Sequence, residues 1–122
     1  MSNPQNHVFI LMGVSGSGKS AVASAVAHEA DAAMLDGDYL HPRANINKMA
    51  AGHALDDNDR APWLAALNDA IFAMQRTNPV SLLVCSALKK SYRDRLREGN
   101  RNLHFLYLKG DKTVIEERLK QR

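Results

Sequence analysis

The stretch Val8-Phe9-Ile10-Leu11-Met12-Gly13-Val14-Ser15-Gly16-Ser17-Gly18-Lys19-Ser20 decides how this chain is read. Its first five residues are a continuous apolar run closed by a glycine. That is the pattern of a strand buried on both faces of a parallel sheet. The next eight match G-x-x-x-x-G-K-[ST] at every fixed position. Glycines there let successive backbone N–H groups converge on phosphate oxygens, and the helix that follows adds its positive N-terminal end. Lys19 is expected to reach the β- and γ-phosphates of a nucleoside triphosphate, and the Ser20 hydroxyl to ligate Mg2+. The motif sits between a strand pattern and a helix pattern, as this role requires, so ATP with magnesium is the expected ligand. It is silent on what accepts the phosphate.

Working outward, residues from Lys19 to about Asp31 read as a helix with Val22, Ala25, Val26 and Ala30 on one face. Ala32 to Leu35 is a second short apolar run, ended by Asp36-Gly37-Asp38. Pro42 can open a helix whose apolar side is Ile46 and Met49, and Gly52 can close it. His53 to Asp59 is polar and reads as loop. Asp59 can cap a long helix from about Arg60 to Arg76, in which Leu64, Leu67, Ile71 and Met74 recur at helical spacing. Asn78-Pro79 breaks it. Val80 to Val84 is a third strand, Ala87 to Glu98 a helix and Leu103 to Leu108 a fourth strand. Asp111 caps a final helix carrying Val114, Ile115 and Leu119. The order β-α-β-α-α-β-α-β-α predicts an α/β fold, a parallel sheet with helices on both faces. Right-handed crossovers then gather the loops after each strand at one edge, where open α/β sheets bind ligands. The glycine-rich loop, Asp36-Gly37-Asp38 and Ser86-Ala87-Leu88-Lys89 all fall there.

The 122 residues suit one compact domain. A net charge of +3, densest between Lys89 and Arg101, suits phosphorylated small molecules as well as nucleic acid. No aromatic-rich RNA-binding motif accompanies it, so no nucleic-acid partner is expected. The single cysteine, Cys85, allows no intrachain disulfide and reads as a core residue at a strand end. No apolar run approaches the roughly 20 residues of a membrane span, and the first residues lack the pattern of a removable signal. The expectation is a cytoplasmic protein with no membrane partner.

Alternation in extended chain would send the Asp36 and Asp38 carboxylates to the same side. Facing the phosphate loop, one could hold magnesium, directly or through water, and the other accept a proton from an attacking hydroxyl. The alternative is a turn in which both cap backbone groups. Arg60 offers a planar fork for a carboxylate or phosphate, or else a surface salt bridge with Asp56, Asp57 or Asp59. Trp63 reads as packing. Lys89 either contacts an anionic substrate or starts a solvated helix. His41 and His53 lie near the expected acceptor site, though a lone histidine is more often structural; His7, His28 and His104 read as ordinary. No Cys/His spacing suggests zinc, and no Ser-His-Asp arrangement can be assembled.

Several blocks resemble the bacterial gluconokinases, a P-loop kinase group related to shikimate and nucleoside-monophosphate kinases. They are Met12 to Ser20, Leu35-Asp-Gly-Asp-Tyr-Leu-His-Pro, Asn45-Ile-Asn-Lys-Met, Leu55-Asp-Asp-Asn-Asp-Arg-Ala-Pro-Trp-Leu and Cys85-Ser-Ala-Leu-Lys-Lys-Ser-Tyr-Arg-Asp. The resemblance runs from about His7 to Arg122. It implies ATP-dependent phosphorylation of D-gluconate to 6-phospho-D-gluconate, and a homodimer. By position it gives Lys19 and Ser20 to ATP and magnesium. It gives Asp38 the task of orienting and deprotonating the sugar hydroxyl, with Asp36 nearer the metal. It gives Arg60 the gluconate carboxylate, with His41, Lys48 and Lys89 as further acceptor-site candidates. Adenylylsulfate kinases also pair a P-loop with Asp-Gly-Asp, but Tyr39-Leu40-His41-Pro42 and Asp59-Arg60-Ala61-Pro62-Trp63 follow the gluconokinase pattern. In that family a mobile lid begins near Arg118–Arg122, followed by a last strand and a last helix. The expectation is therefore a single kinase domain over 1–122 without those parts. The alternative to turnover is a nucleotide-binding fragment, because such a lid closes over the phosphates and excludes water.

Overall fold

The computed structural model describes residues 6–12, 19–85 and 89–107, with residues 19, 20 and 22 described by their backbone. The glycine-rich loop at 13–18, residues 86–88 and the expected final helix lie outside the described residues. Four strands, β1 (His7–Met12), β2 (Ala33–Asp36), β3 (Val80–Val84) and β4 (Leu103–Tyr107), form one sheet in the order β2-β3-β1-β4. All three pairings are parallel, with Ile10 opposite Leu83 on one side and Phe105 on the other. The helices are α1 (Lys19–Ala30), α2 (Arg43–Ala50), α3 (Asp57–Thr77) and α4 (Lys90–Arg97). None among the described residues is long and apolar enough to cross a membrane.

Side chains alternate across β1 and so divide the core. Val8, Ile10 and Met12 pack with Trp63, Leu64, Leu67 and Ile71 of α3 and with Tyr92 and Leu96 of α4. Phe9 and Leu11 face the other way, onto Ala23 and Val26 of α1. This is the two-faced α/β layering that the apolar run of β1 predicts. Cys85 is buried with the α3 layer, as expected for a core residue. Asn68 of α3 clamps the end of α4, donating to the carbonyls of Arg95 (2.9 Å), Leu96 (3.3 Å) and Glu98 (2.8 Å). Those are terminal carbonyls that have no partner within their own helix.

Four local expectations need correction. The cap of α3 is Asp56, three residues before the expected Asp59. The Asp56 carboxylate accepts from the Asp59 amide (2.8 Å), and the Asp59 carboxylate accepts from the Asp56 amide (2.9 Å). This reciprocal capping box starts the helix at Asp57. In α2, Ile46 and Met49 are exposed at 47% and 43%, while Asn45 is buried at 3%. A polar partner decides which face of so short a helix turns inward. In α1 the buried positions among the described residues are Ala23 and Val26, whereas Ala30 is exposed; the Val22 side chain lies outside the described residues. Finally, β2 ends at Asp36, and Gly37–Leu40 is a 3-10 turn capped by the Asp36 carboxylate, which accepts from the Asp38 amide (3.0 Å). Strand alternation therefore does not carry through to Asp38.

Gly37 is buried where that turn leaves the sheet. A Cβ there would lie 2.7 Å from the Val84 carbonyl oxygen and 2.9 Å from Leu67 Cδ2. One neighbour is backbone and the other a fully buried core side chain, so neither yields cheaply. Gly37→Ala is expected to lower stability by about 1–3 kcal/mol, the range for overpacking a core. Urea denaturation of both proteins measures it, and an unchanged midpoint would contradict this packing.

Candidate active site

The edge at the C-terminal ends of the strands carries an interlocked set of side chains. The Trp63 indole is 1% exposed and donates through Nε1 to the Gly37 carbonyl at 2.9 Å. Its other face stacks on the His41 ring, with centroids 4.2 Å apart and planes 13° apart. Asn45 Nδ2 lies 3.1 Å from His41 Nδ1 and donates to the Asp59 main-chain carbonyl at 2.9 Å. Lys48 closes the ring through a 2.6 Å ion pair with the Asp59 carboxylate. The stretch after β2 and the start of α3 are thus bound at four points.

A second set ties α4 to the same helix start. Arg60 donates to the Tyr92 hydroxyl (3.1 Å) and lies over its ring, 5.7 Å from the centroid. The Tyr92 hydroxyl donates to Asp57 (2.5 Å), which also pairs with Lys89 (2.9 Å). Arg60 therefore does not take the surface salt bridge with Asp56, Asp57 or Asp59 open to it in sequence. A cleft of about 230 Å3 lies alongside, lined by Asp57, Ala61, Leu64, Ser91, Tyr92 and Arg95.

These contacts set the local charge states. Hydrogen bonding to Lys48 holds the Asp59 carboxyl below its ordinary range, and Lys48 is raised in return. The Tyr92 hydroxyl, then Lys89, lowers Asp57, and Asp57 raises Lys89. Burial lowers His41, with Arg60 acting in the same direction and Asp38 against it.

Of the residues singled out in sequence, Asp38, His41, Lys48, Arg60 and Lys89 all fall in or against this network. The side chains of Lys19 and Ser20 are outside the description, although both begin α1. Asp36 acts as the turn cap, the alternative left open for it, and is half-buried at the same edge. At that edge Asp36 would offer a metal a carboxylate oxygen. Hard oxygen donors in small number fit Mg2+, which keeps several of its waters. Lys48 and Lys89 are engaged by aspartates of α3. His53 is exposed beyond α2, and its amide closes that helix on the Lys48 carbonyl at 3.1 Å. His7 and His104 contact each other (3.0 Å) at the opposite end of β1. Sequence reasoning did not single out Asn45 or Tyr92 and named Asp57 only as a salt-bridge neighbour of Arg60, while the packing expected of Trp63 is borne out by its burial in the core. The one available signal was the closeness of Asn45 to His41 in sequence, two residues into the helix that Pro42 opens.

A family profile described as AAA domain matches residues 8–122. The thermoresistant gluconokinase of Escherichia coli (strain K12) is 72% identical over 121 residues, covering 99% of this chain and 69% of that protein. The chain belongs to the gluconokinase family. The thermosensitive gluconokinase of the same organism is 52% identical, over 93% of this chain and 61% of its own length. A gluconokinase crystal structure from Sinorhizobium meliloti 1021 superposes with a TM-score of 0.76 at 42% identity, over 98% of this chain and 67% of that one. The chain thus spans about two thirds of the length of the gluconokinases it matches. The family and the parallel sheet agree with the reading of β1 and the phosphate-loop motif.

Asp57 and Asp59 are both held below their ordinary carboxylate range in the folded chain. Their contribution is complete above the unfolded value of about 3.9 and is lost as pH falls through the lower folded values. Stability followed by denaturation at a series of pH values should therefore drop below about pH 4. Asp57→Asn should flatten that drop. An identical acid limb in the variant would mean that the Tyr92 and Lys89 contacts contribute nothing.

Proposed function

We propose that this chain transfers the γ-phosphoryl group of ATP to D-gluconate, giving 6-phospho-D-gluconate and ADP. The observation that carries this reading is the interlock of His41, Trp63 and Asp59 with the Asp38 turn. It brings a carboxylate, an imidazole and the Arg60 guanidinium to the sheet edge where open α/β folds bind ligands, in a chain of the gluconokinase family. Lys19 and the backbone of Gly13 to Ser20 hold the nucleotide phosphates. Ser20 and Asp36 would hold Mg2+, which when bound offsets charge on the phosphate oxygens. Arg60 takes the gluconate carboxylate through its planar fork. The C6 hydroxyl oxygen forms the new bond to phosphorus, the bridging bond to ADP breaks, and Asp38 accepts the hydroxyl proton.

In this reading Lys48 and Lys89 are supports. Each is committed to an aspartate at the start of α3, and so helps hold the helix that presents Arg60. Adenylyl sulfate, with its purine and mixed anhydride, is the rival acceptor. It lacks the carboxylate that Arg60 is set to receive.

The test is ADP release by the purified chain with Mg-ATP, with and without D-gluconate, using Lys19→Ala as the blank. Gluconate-dependent ADP is expected, with a loss on the order of 100-fold or more in Lys19→Ala. Nucleotide binding without acceptor-dependent ADP would overturn the proposal. Arg60→Ala should raise the KM for gluconate about 10- to 100-fold, the cost of a charge-assisted hydrogen bond. An unchanged KM would remove Arg60 from the acceptor site.

A further inference from the structure

Asn45 is the polar residue that α2 turns inward, and its surroundings fix more than packing. Its Nδ2 lies 2.9 Å from the Asp59 main-chain carbonyl and 3.1 Å from His41 Nδ1. A main-chain carbonyl only accepts, so the group facing it must be the amide nitrogen and not Oδ1. An amide nitrogen only donates, and its two hydrogens serve both neighbours. His41 Nδ1 is therefore an acceptor. A neutral imidazole whose Nδ1 accepts carries its proton on Nε2.

The stack on Trp63 fixes the plane of the His41 ring, and the 2.9 Å bond to Gly37 fixes Trp63. Protonating His41 would place a second N–H on Nδ1, pointing at the Asn45 amide hydrogens. Asn45 thus opposes the cation by geometry. Burial and the Arg60 charge oppose it as well, while Asp38 alone favours it. Beyond Asn45, Lys48 and Asp59 form an ion pair whose charges offset each other.

We propose that Asn45 is a positioning residue that locks His41 as the neutral Nε2–H tautomer, giving the acceptor site an uncharged hydrogen-bond donor for an oxygen of a polyhydroxy acid. The tautomer follows from Asn45, Asp59 and His41 alone; the ligand it serves rests on the gluconate reading. The arrangement suits proton transfer to Asp38. An imidazolium beside that carboxylate would stabilise its ionised form and make it a weaker base, whereas a neutral donor orients an oxygen without doing so.

The experiment is a long-range 1H–15N correlation spectrum of the whole chain labelled at its five histidines, with His41→Gln supplying the assignment. At pH 7 the His41 signals should show a protonated Nε2 and a bare Nδ1. A protonated Nδ1 or an imidazolium in the unaltered protein would overturn the proposal with no variant needed. Asn45→Ala should give a mixture of tautomers. Asn45→Asp offers Nδ1 a carboxylate, and should move the His41 midpoint up by about 1 unit or more. The acid limb of gluconate-dependent turnover should move with it. Retention of the unaltered tautomer in Asn45→Ala would assign the lock to something other than Asn45. The expected tautomer in a chain without gluconate turnover would leave the lock standing and remove only the substrate.

Discussion

The bond from the Trp63 indole to the Gly37 carbonyl is the contact on which the rest of the site depends. It spans 26 positions of sequence and joins the turn after β2 to the first turns of α3. It forms because Gly37 has no side chain: a single added carbon would collide with the end of β3 and with Leu67. With the turn pressed against the sheet, the indole is buried and its one donor is satisfied, as a buried tryptophan requires. The same indole offers its face to His41. One residue thereby sets the distance between two segments and the plane of a candidate functional ring.

The charged groups around this contact work mainly on each other. Asp56 and Asp59 cap α3 reciprocally, Asp59 holds Lys48, and Asp57 holds Lys89 and the Tyr92 hydroxyl. Exposed pairs such as Lys89 with Asp57 contribute little energy individually. Their value here is geometric, since together they fix the helix start that carries Arg60. Arg60 is left against the face and hydroxyl of a tyrosine, a neutral partner that does not discharge it. A guanidinium held in place by a neutral contact remains available to an incoming carboxylate.

The sequence makes the layered sheet legible because β1 is apolar without interruption and α3 repeats its apolar positions for several turns. Both signals are local and periodic. Asp38, His41 and Arg60 are legible as candidates because their residue types suit anionic, hydroxylated ligands and because they fall near strand ends. What stays hidden is who partners whom. Asp56 rather than Asp59 caps α3 because both are aspartates three residues apart, and only the backbone decides which is outside the helix. Ile46 and Met49 suggest the wrong inward face for α2, because burial there follows the Asp59 carbonyl that Asn45 satisfies, 14 positions away. Gly37 reads as turn punctuation, while its real constraint comes from Leu67 and Val84. The cap is a local choice between two equivalent aspartates, whereas the other two depend on long-range contacts that no local pattern encodes.

The proposed acceptor site for gluconate joins the Asp38 turn, His41 and Arg60. A crystal structure of the chain with D-gluconate bound tests it most directly. The carboxylate is expected on the Arg60 guanidinium, with hydroxyl oxygens reaching Asp38 and His41 Nε2. Gluconate seated instead in the cleft between α3 and α4, against Ser91 and Arg95 with Arg60 still only on Tyr92, would contradict it.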